Sequence, residues 1–478
     1  MAEQNLKQKT KVGIYWKMID QFGNHGLTFI VGIVMARMLT PEDYGVTALP
    51  AVFMTIAALF VDCGFTSALV RKESVTENDL ATSFYYSFIV GLLCYVLIFF
   101  SSPWIADFYN TPILEKLMRI TALTFLISPL ATPQSVILQR KLDFKTPAKI
   151  NLITKVIGAI LGIMTAYYGL GLWSLVIMSL SSTFISIIIT WLVVRWIPTA
   201  SFSRESFKYL YGYGSKMLLT FLMDRIYMNI TPIVIGKFYS PAQLGVYNRA
   251  LGYAKLPSEQ LTGVVSSVTF PVLSKVQNNL EVLAVNYRKM LRLTAFIVFP
   301  IMTLLCVLAK PLIIVMITEK WIACVPYLQL MCIWWIWIPI HSINLNILLV
   351  KGRSDLFLRL EVIKKTIGLV IMCITLPMGI IPFLIGSICN SFIALFINTY
   401  YTGKLINVGF VIQMMDLFPL LGMCVCMGIL IYFTTMYIPN IFVQVIGGGI
   451  LGVIIYIGTS IVLKRAEFED LKYMLKRK

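Results

Sequence analysis

The sequence predicts an all-α integral membrane protein of about fourteen transmembrane helices, on three observations. Hydrophobic residues make up 58% of the 478 and charged residues only 13%, far from the usage of a water-soluble domain. Apolar stretches long enough to cross a bilayer, about 20 residues each, recur from end to end. Basic residues gather in alternate loops. Most stretches are too long and unalternating for barrel strands, and a helix satisfies its own backbone in lipid, so they are helices.

The spans fall at 12–36, 44–70, 81–101, 116–138, 147–168, 172–195, 213–236, 244–270, 290–316, 325–350, 360–380, 382–402, 412–436 and 441–463. Lys7, Lys9 and Lys11 lead into the first without a small-residue cleavage pattern, so it reads as a retained helix and not a removed signal. With the N-terminus inside, the inner loops carry Arg71/Lys72, Arg140/Lys141/Lys145/Lys149, Arg195/Arg204/Lys208, Lys275/Arg288/Lys289/Arg292 and Lys351/Arg353/Arg359, followed by the tail Lys464 to Lys478. The opposite loops hold Arg37, Lys116, Lys237, Lys310 and Lys320, and the turns at Gly169 to Gly171, Pro377 to Pro382 and Tyr437 to Pro439 hold no charge. The positive-inside rule therefore places both termini in the cytoplasm. The net charge of +18 reflects this asymmetry and does not imply nucleic acid. The segment Ser201 to Gly214 mixes Arg204, Glu205 and Lys208 with aromatic residues, and reads either as an amphipathic connector on the inner surface or as a solvated loop. Nine cysteines, mostly in apolar stretches, read as packing residues, with no disulfide framework, metal site or cofactor indicated.

The chain also repeats itself. At an offset of 200 residues, Ile33-Val34, Arg37, Thr40-Pro41 and Gly45-Val46 meet Ile233-Val234, Lys237, Ser240-Pro241 and Gly245-Val246. At an offset of 210, Pro129, Lys141, Lys149, Lys155 and Gly158 meet Pro339, Lys351, Arg359, Lys365 and Gly368. Units of six helices, an even number, have the same orientation, so the expected arrangement is two parallel lobes about an axis along the membrane normal. The expected divisions are 1–200 (spans 1 to 6), 201–405 (spans 7 to 12) and 406–478 (spans 13 and 14 with the basic cytoplasmic tail). Pro50, Pro129, Pro257 and Pro339 are candidate bending points.

Several spans carry polar or charged residues where lipid would be. In the first, Lys17, Asp20, Gln21, Asn24 and Thr28 recur at helical spacing and make one polar stripe. In the seventh, Lys216, Thr220, Asp224, Tyr227 and Thr231 repeat the design. Asp62, Arg119, Lys155, Arg225, Arg249, Lys255, Glu259 and His341 lie in other spans or add to these. A charge at the middle of a lipid-facing helix costs roughly 2.5 to 3.5 kcal/mol on insertion scales, so such residues face a protein interior or a watery cavity. Local pairing is the competing explanation for the acids: Lys17 and Asp20 are spaced i,i+3, and Lys255 and Glu259 i,i+4. Arg249 has no acid at either spacing. The candidate substrate-binding residues of a cationic lumen are thus Arg249, Lys255, Lys17, Arg225 and Lys155, and the candidate ion-coupling acids are Asp20, Asp62, Asp224 and Glu259. Fixed Arg and Lys attract anions, and phosphate matches their donors best.

No G-x-x-x-x-G-K-[ST] loop, H-E-x-x-H or nucleophile elbow occurs, and no loop is large enough for a soluble catalytic domain, so transport is expected and not catalysis. The run Leu244 to Ala250 (LGVYNRA), with Leu256-Pro257, Thr269 to Ser274 (TFPVLS), Asp224 and Leu39 to Gly45 (LTPEDYG), resembles the polysaccharide-transporter family, the Wzx-type oligosaccharide-lipid flippases of the multidrug/oligosaccharidyl-lipid/polysaccharide (MOP) exporter superfamily. The resemblance implies a bacterial inner-membrane flippase with fourteen helices. It would move undecaprenyl-pyrophosphate-linked oligosaccharide units by alternating access, for O-antigen, capsule or exopolysaccharide. It also implies an anionic polyprenyl-pyrophosphate oligosaccharide as substrate, contact with membrane lipid, and work alongside a polysaccharide polymerase and glycosyltransferases. A lipid II flippase and a multidrug antiporter of the same superfamily are the alternatives, and a membrane-embedded glycosyltransferase or polymerase is a more distant one. Acidic lining, expected for cationic drugs, fits poorly with Arg249, Lys255 and Lys17.

Overall fold

The structure, a computed structural model, describes residues 2–476, with side chains described for 12, 13 and 15–473. Lys7, Lys9, Lys11 and Lys478 lie outside those described side chains. Among the described residues every regular element is a helix. The long ones, in chain order, are α1 (Ala2–Met38), α2 (Pro41–Arg71), α3 (Glu77–Phe108), α4 (Ile113–Arg140), α5 (Lys145–Tyr167), α6 (Trp173–Val194), α7 (Arg204–Phe238) and α8 (Pro241–Lys275). There follow α9 (Leu280–Val307), α10 (Cys324–Val350), α11 (Ser354–Thr375), α12 (Ile380–Ile406), α13 (Phe410–Met436), α14 (Ile441–Val462) and a shorter tail helix, α15 (Ala466–Lys476). A short helix, Ala309–Ile317, lies between α9 and α10. Eleven of the long helices are apolar enough to cross a membrane on length and composition alone. The three remaining long helices, α1, α8 and α11, occupy expected spans and carry charges along their length, such as Asp20, Arg249 and Lys364. The protein is an all-α, multi-pass membrane protein.

The turn motif found twice in the sequence builds the same device twice. Thr40 caps α2, its hydroxyl accepting from the Asp43 N–H while the Asp43 carboxylate accepts from the Thr40 N–H at 2.9 Å. Ser240 does the same for α8 with Gln243, through bonds of 3.2 and 3.3 Å. In both, Pro occupies the first helical position, where no N–H is needed. The glycines that follow permit reciprocal contact: a Cβ on Gly45 would lie 1.6 Å from the Pro241 carbonyl oxygen, and one on Gly245 would lie 1.9 Å from that of Pro41. Pro129 and Pro339, matched at the offset of 210, also share a role, since both sit at breaks. Around Pro129, α4 gives way to a 3-10 turn over Ser128–Ala131, and α10 is interrupted just before Ile338–Val350, in which Pro339 is the second residue.

The chain divides into two compact units, Met1–Gly245 and Val246–Lys478. In the first, α5 packs against α1 and α6, and Gly158 lets the α6 backbone and Ser182 come close. Helix α7 packs on α2 and α3. Its Gly214 admits the carbonyl of Cys63, 2.1 Å from where a Cβ would stand, at a point where α2 turns through the left-handed residues Cys63 (φ 45°) and Gly64 (φ 68°). This contact explains why the compact division falls after α7, whereas the sequence repeat places α7 at the start of its second copy. The segment expected as a surface connector is the opening of α7 itself from Arg204 onward, with Tyr213 and Tyr209 receiving Arg71 and Lys72 on their faces at 5.0 Å. In the second unit α9 packs on α10 and α13, α12 on α11 and α13, and α13 on α14.

Candidate functional site

The polar stripe of α1 is answered from α5. The Asp20 carboxylate is buried and accepts from the Asn24 amide one turn on, at 2.5 Å, and from the Asn151 amide at 3.2 Å. Lys17 stands 3.6 Å from the same carboxylate, and Lys155 donates to the Thr28 hydroxyl at 3.3 Å. Lys17, Asp20 and Lys155 are therefore brought to one helix pair. Asn151 completes the cluster without having been singled out in the sequence. It lies 131 residues from Asp20, and no local spacing links the two.

Asp62 stands elsewhere, at the break in α2. Its carboxylate accepts from the Gly64 N–H at 3.1 Å and the Thr66 hydroxyl at 2.5 Å, a local capping arrangement that holds the turn. Asp224 and Arg225 are exposed on α7. Arg119, read as an ionisable residue of the fourth span, is tied down by Glu115 at 2.7 Å and by the Phe99 carbonyl and Ser102 hydroxyl.

In the second unit the cations of α8 lie against aromatic faces. The Arg249 guanidinium sits 5.4 Å from the ring centroid of Trp321 and 5.8 Å from that of Tyr253. Lys255 is 5.9 Å from Trp335 and 3.4 Å from Glu259, the pair expected from spacing. At 1.5 Å per residue these charges lie about 12 and 21 Å along α8 from its start, inside the length of a span. Lys255 is thus both ion-paired and set against a ring, and Arg249 lies against two rings. Tyr253, one turn after Arg249, was not singled out in the sequence, although the i,i+4 spacing could have found it. Trp321 and Trp335 were not singled out either, and no local spacing links them to these cations.

Two further polar networks occur in this unit. His341 meets the Ser391 hydroxyl at 3.0 Å and the Asn398 amide at 3.4 Å, while Asn344 joins Tyr287, Thr402 and Gln413. At the end of α9, Arg288 grips the buried Asp416 of α13 through two bonds of 2.7 Å, with Arg292 3.9 Å away. Arg292 also lies 3.5 Å from Glu467, and Lys289 2.6 Å from Asp470, so α15 is tied to α9 by two ion pairs. In the neighbouring basic loop, hydrogen bonds from Arg353 to the Asp355 carboxylate, at 2.8 and 2.9 Å, hold the guanidinium above its ordinary pKa.

Long apolar helices, several of them carrying charged side chains held by polar, ionic or aromatic partners, define a multi-pass helical membrane protein. The chain belongs to the polysaccharide biosynthesis protein family, whose profile matches residues 34–326. It is 29% identical to the teichuronic acid biosynthesis protein TuaB of Bacillus subtilis, over 74% of this chain and 73% of that one. It is 23% identical to the lipopolysaccharide biosynthesis protein WzxC of Escherichia coli, over 75% and 74%. Among solved structures, lipid II flippase MurJ in an inward closed conformation aligns with a TM-score of 0.72 at 18% identity, over 94% of this chain and 99% of that one. An inward-facing multidrug resistance transporter of the MATE family, itself of the MOP superfamily, aligns at 0.57 and 16% identity, over 82% and 98%. These likenesses place the chain in the MOP fold.

Proposed function

We propose that this protein is a flippase that carries undecaprenyl-pyrophosphate-linked oligosaccharide units across a bacterial inner membrane for surface polysaccharide synthesis. Both termini lie in the cytoplasm, and the polar helices are exposed to the two faces in turn. The observation that carries the reading is the placement of Arg249 and Lys255 on aromatic faces within a membrane-length helix. A pyrophosphate leaving water needs fixed positive charge in exchange for lost hydration. The family and the relatives named for teichuronic acid and lipopolysaccharide biosynthesis support a sugar polymer precursor as the cargo. On the proton or sodium side, Asp20 is the strongest coupling acid, because it is buried, bonded by two amides and 3.6 Å from the Lys17 ammonium.

The test is surface polysaccharide in cells that lack the native copy, with membrane levels of each variant matched. The double variant Arg249→Ala, Lys255→Ala is expected to lose export while still inserting. Arg249→Lys is expected to keep part of it, as a point charge without the bidentate fork. Full polysaccharide from the double variant would remove the cationic role of this pair.

A further inference from the structure

At one face of the first unit, four helix junctions line a half-open cleft of about 610 Å³, the size of a small-molecule site. The junctions are α1/α2, α3/α4, α5/α6 and α7/α8, all on the face that the basic-loop asymmetry assigns to the outside. Its lining combines the rings of Tyr109 and Tyr239 with Glu42, Asp43, Asn110 and Lys237. These side chains are not equally available. Asp43 is engaged in the Thr40 capping box, and Lys237 donates to the Phe108 carbonyl at 2.5 Å with its charge over the Phe108 ring at 4.2 Å. Glu42 and Asn110 are exposed, and among the described residues neither side chain is seen to make a hydrogen bond.

From this lining, which includes neither Arg249 nor Lys255, we infer that the cleft is a saccharide-holding site that takes a neutral pyranose on the outer face. Tyr109 is buried against Phe53 and Phe108 and forms the floor, so the partly exposed Tyr239 ring is the one that offers an apolar face to the C–H surface of a pyranose. A carboxylate with no other partner accepts two hydroxyl protons, and an amide both donates and accepts. The charge selects among sugars: two carboxylates against one committed ammonium disfavour an acidic sugar and accept a neutral one. The site would hold the sugar end of an arriving substrate after its pyrophosphate has crossed, and this biological meaning rests on the flippase reading.

The test uses the full-length protein in lipid nanodiscs, because maltoside detergents would compete for the site. Saturation-transfer NMR is recorded with methyl glucoside, methyl galactoside, methyl N-acetylglucosaminide and methyl glucuronoside. Transfer to at least one neutral glycoside is expected, with little to the glucuronoside. The variant Glu42→Ala, Asn110→Gly should bind about tenfold more weakly, the loss expected for two polar contacts. Asn110 stands at φ 51°, which glycine adopts freely, so the backbone is preserved. Arg249→Ala should bind the neutral glycoside as wild type does. No transfer to any neutral glycoside, equal transfer to the glucuronoside, or undiminished binding by the double variant would each overturn the site. Failure of the carrier reading looks different: deleting the gene would then leave surface polysaccharide unchanged, whatever the NMR shows.

Discussion

Single carboxylates in this protein have different roles, and substitution separates them. Asp20, buried between α1 and α5, is proposed to couple transport to an ion, while Asp62 caps the turn in α2. Asp20→Asn should therefore lose most of the export at matched membrane level, because the amide cannot bind and release the coupling ion as a carboxylate does. Asp62→Ala should leave export near wild type and lower stability by about 1 kcal/mol, and Asp62→Asn should change neither much, since asparagine also caps. Wild-type export by Asp20→Asn would remove it as the coupling acid. Asp416 carries a different load. Removing its charge leaves Arg288 and Arg292 facing an uncharged side chain, at an expected cost of about 1–3 kcal/mol, between the exposed and buried limits for ion pairs. Thermal unfolding of Asp416→Asn, Arg288→Gln and the double variant should show coupling between the two, and additive losses would contradict the pair. The i,i+3 and i,i+4 pairs were legible from spacing alone. The Arg288–Asp416 pair was not, because the partners lie 128 residues apart and Arg288 read as an ordinary loop charge.

At the scale of the helices, the spans were legible because bilayer thickness fixes the length of an apolar run. Their breaks were partly legible. Pro129 and Pro339 announced two of them, but the turn in α2 depends on Cys63 adopting a left-handed conformation that no residue pattern required. The repeated turn is the element with the clearest physical consequence. Gly45→Ala and Gly245→Ala would each drive a methyl into a carbonyl, and both should abolish accumulation of folded protein, read by size-exclusion of detergent extracts. Gly26 lies in α1 with nothing within 4 Å of where a Cβ would stand, so Gly26→Ala should instead raise stability by up to about 1 kcal/mol through helix propensity. Equal behaviour of Gly45→Ala and Gly26→Ala would contradict the close approach of the two turns.

For the molecule as a whole, the charge asymmetry predicts an orientation, and the charged helices underlie the proposed cargo. Reporter fusions at Arg140, Arg204 and Arg353 should remain in the cytoplasm, and those at Asp107, Gly169 and Tyr437 should cross the membrane. A reporter at Arg140 or Arg353 that is active only on the far side would overturn the proposed topology. The cargo is tested most directly by reconstitution. Purified protein is placed in liposomes that contain polyprenyl-pyrophosphate-linked oligosaccharide in both leaflets, and a sugar-cleaving enzyme is added outside. The wild type should render the inner-leaflet fraction accessible to the enzyme, and Arg249→Ala, Lys255→Ala should leave it protected. Continued protection in the presence of folded wild-type protein, with the proposed coupling ion supplied as a gradient, would contradict the flippase reading.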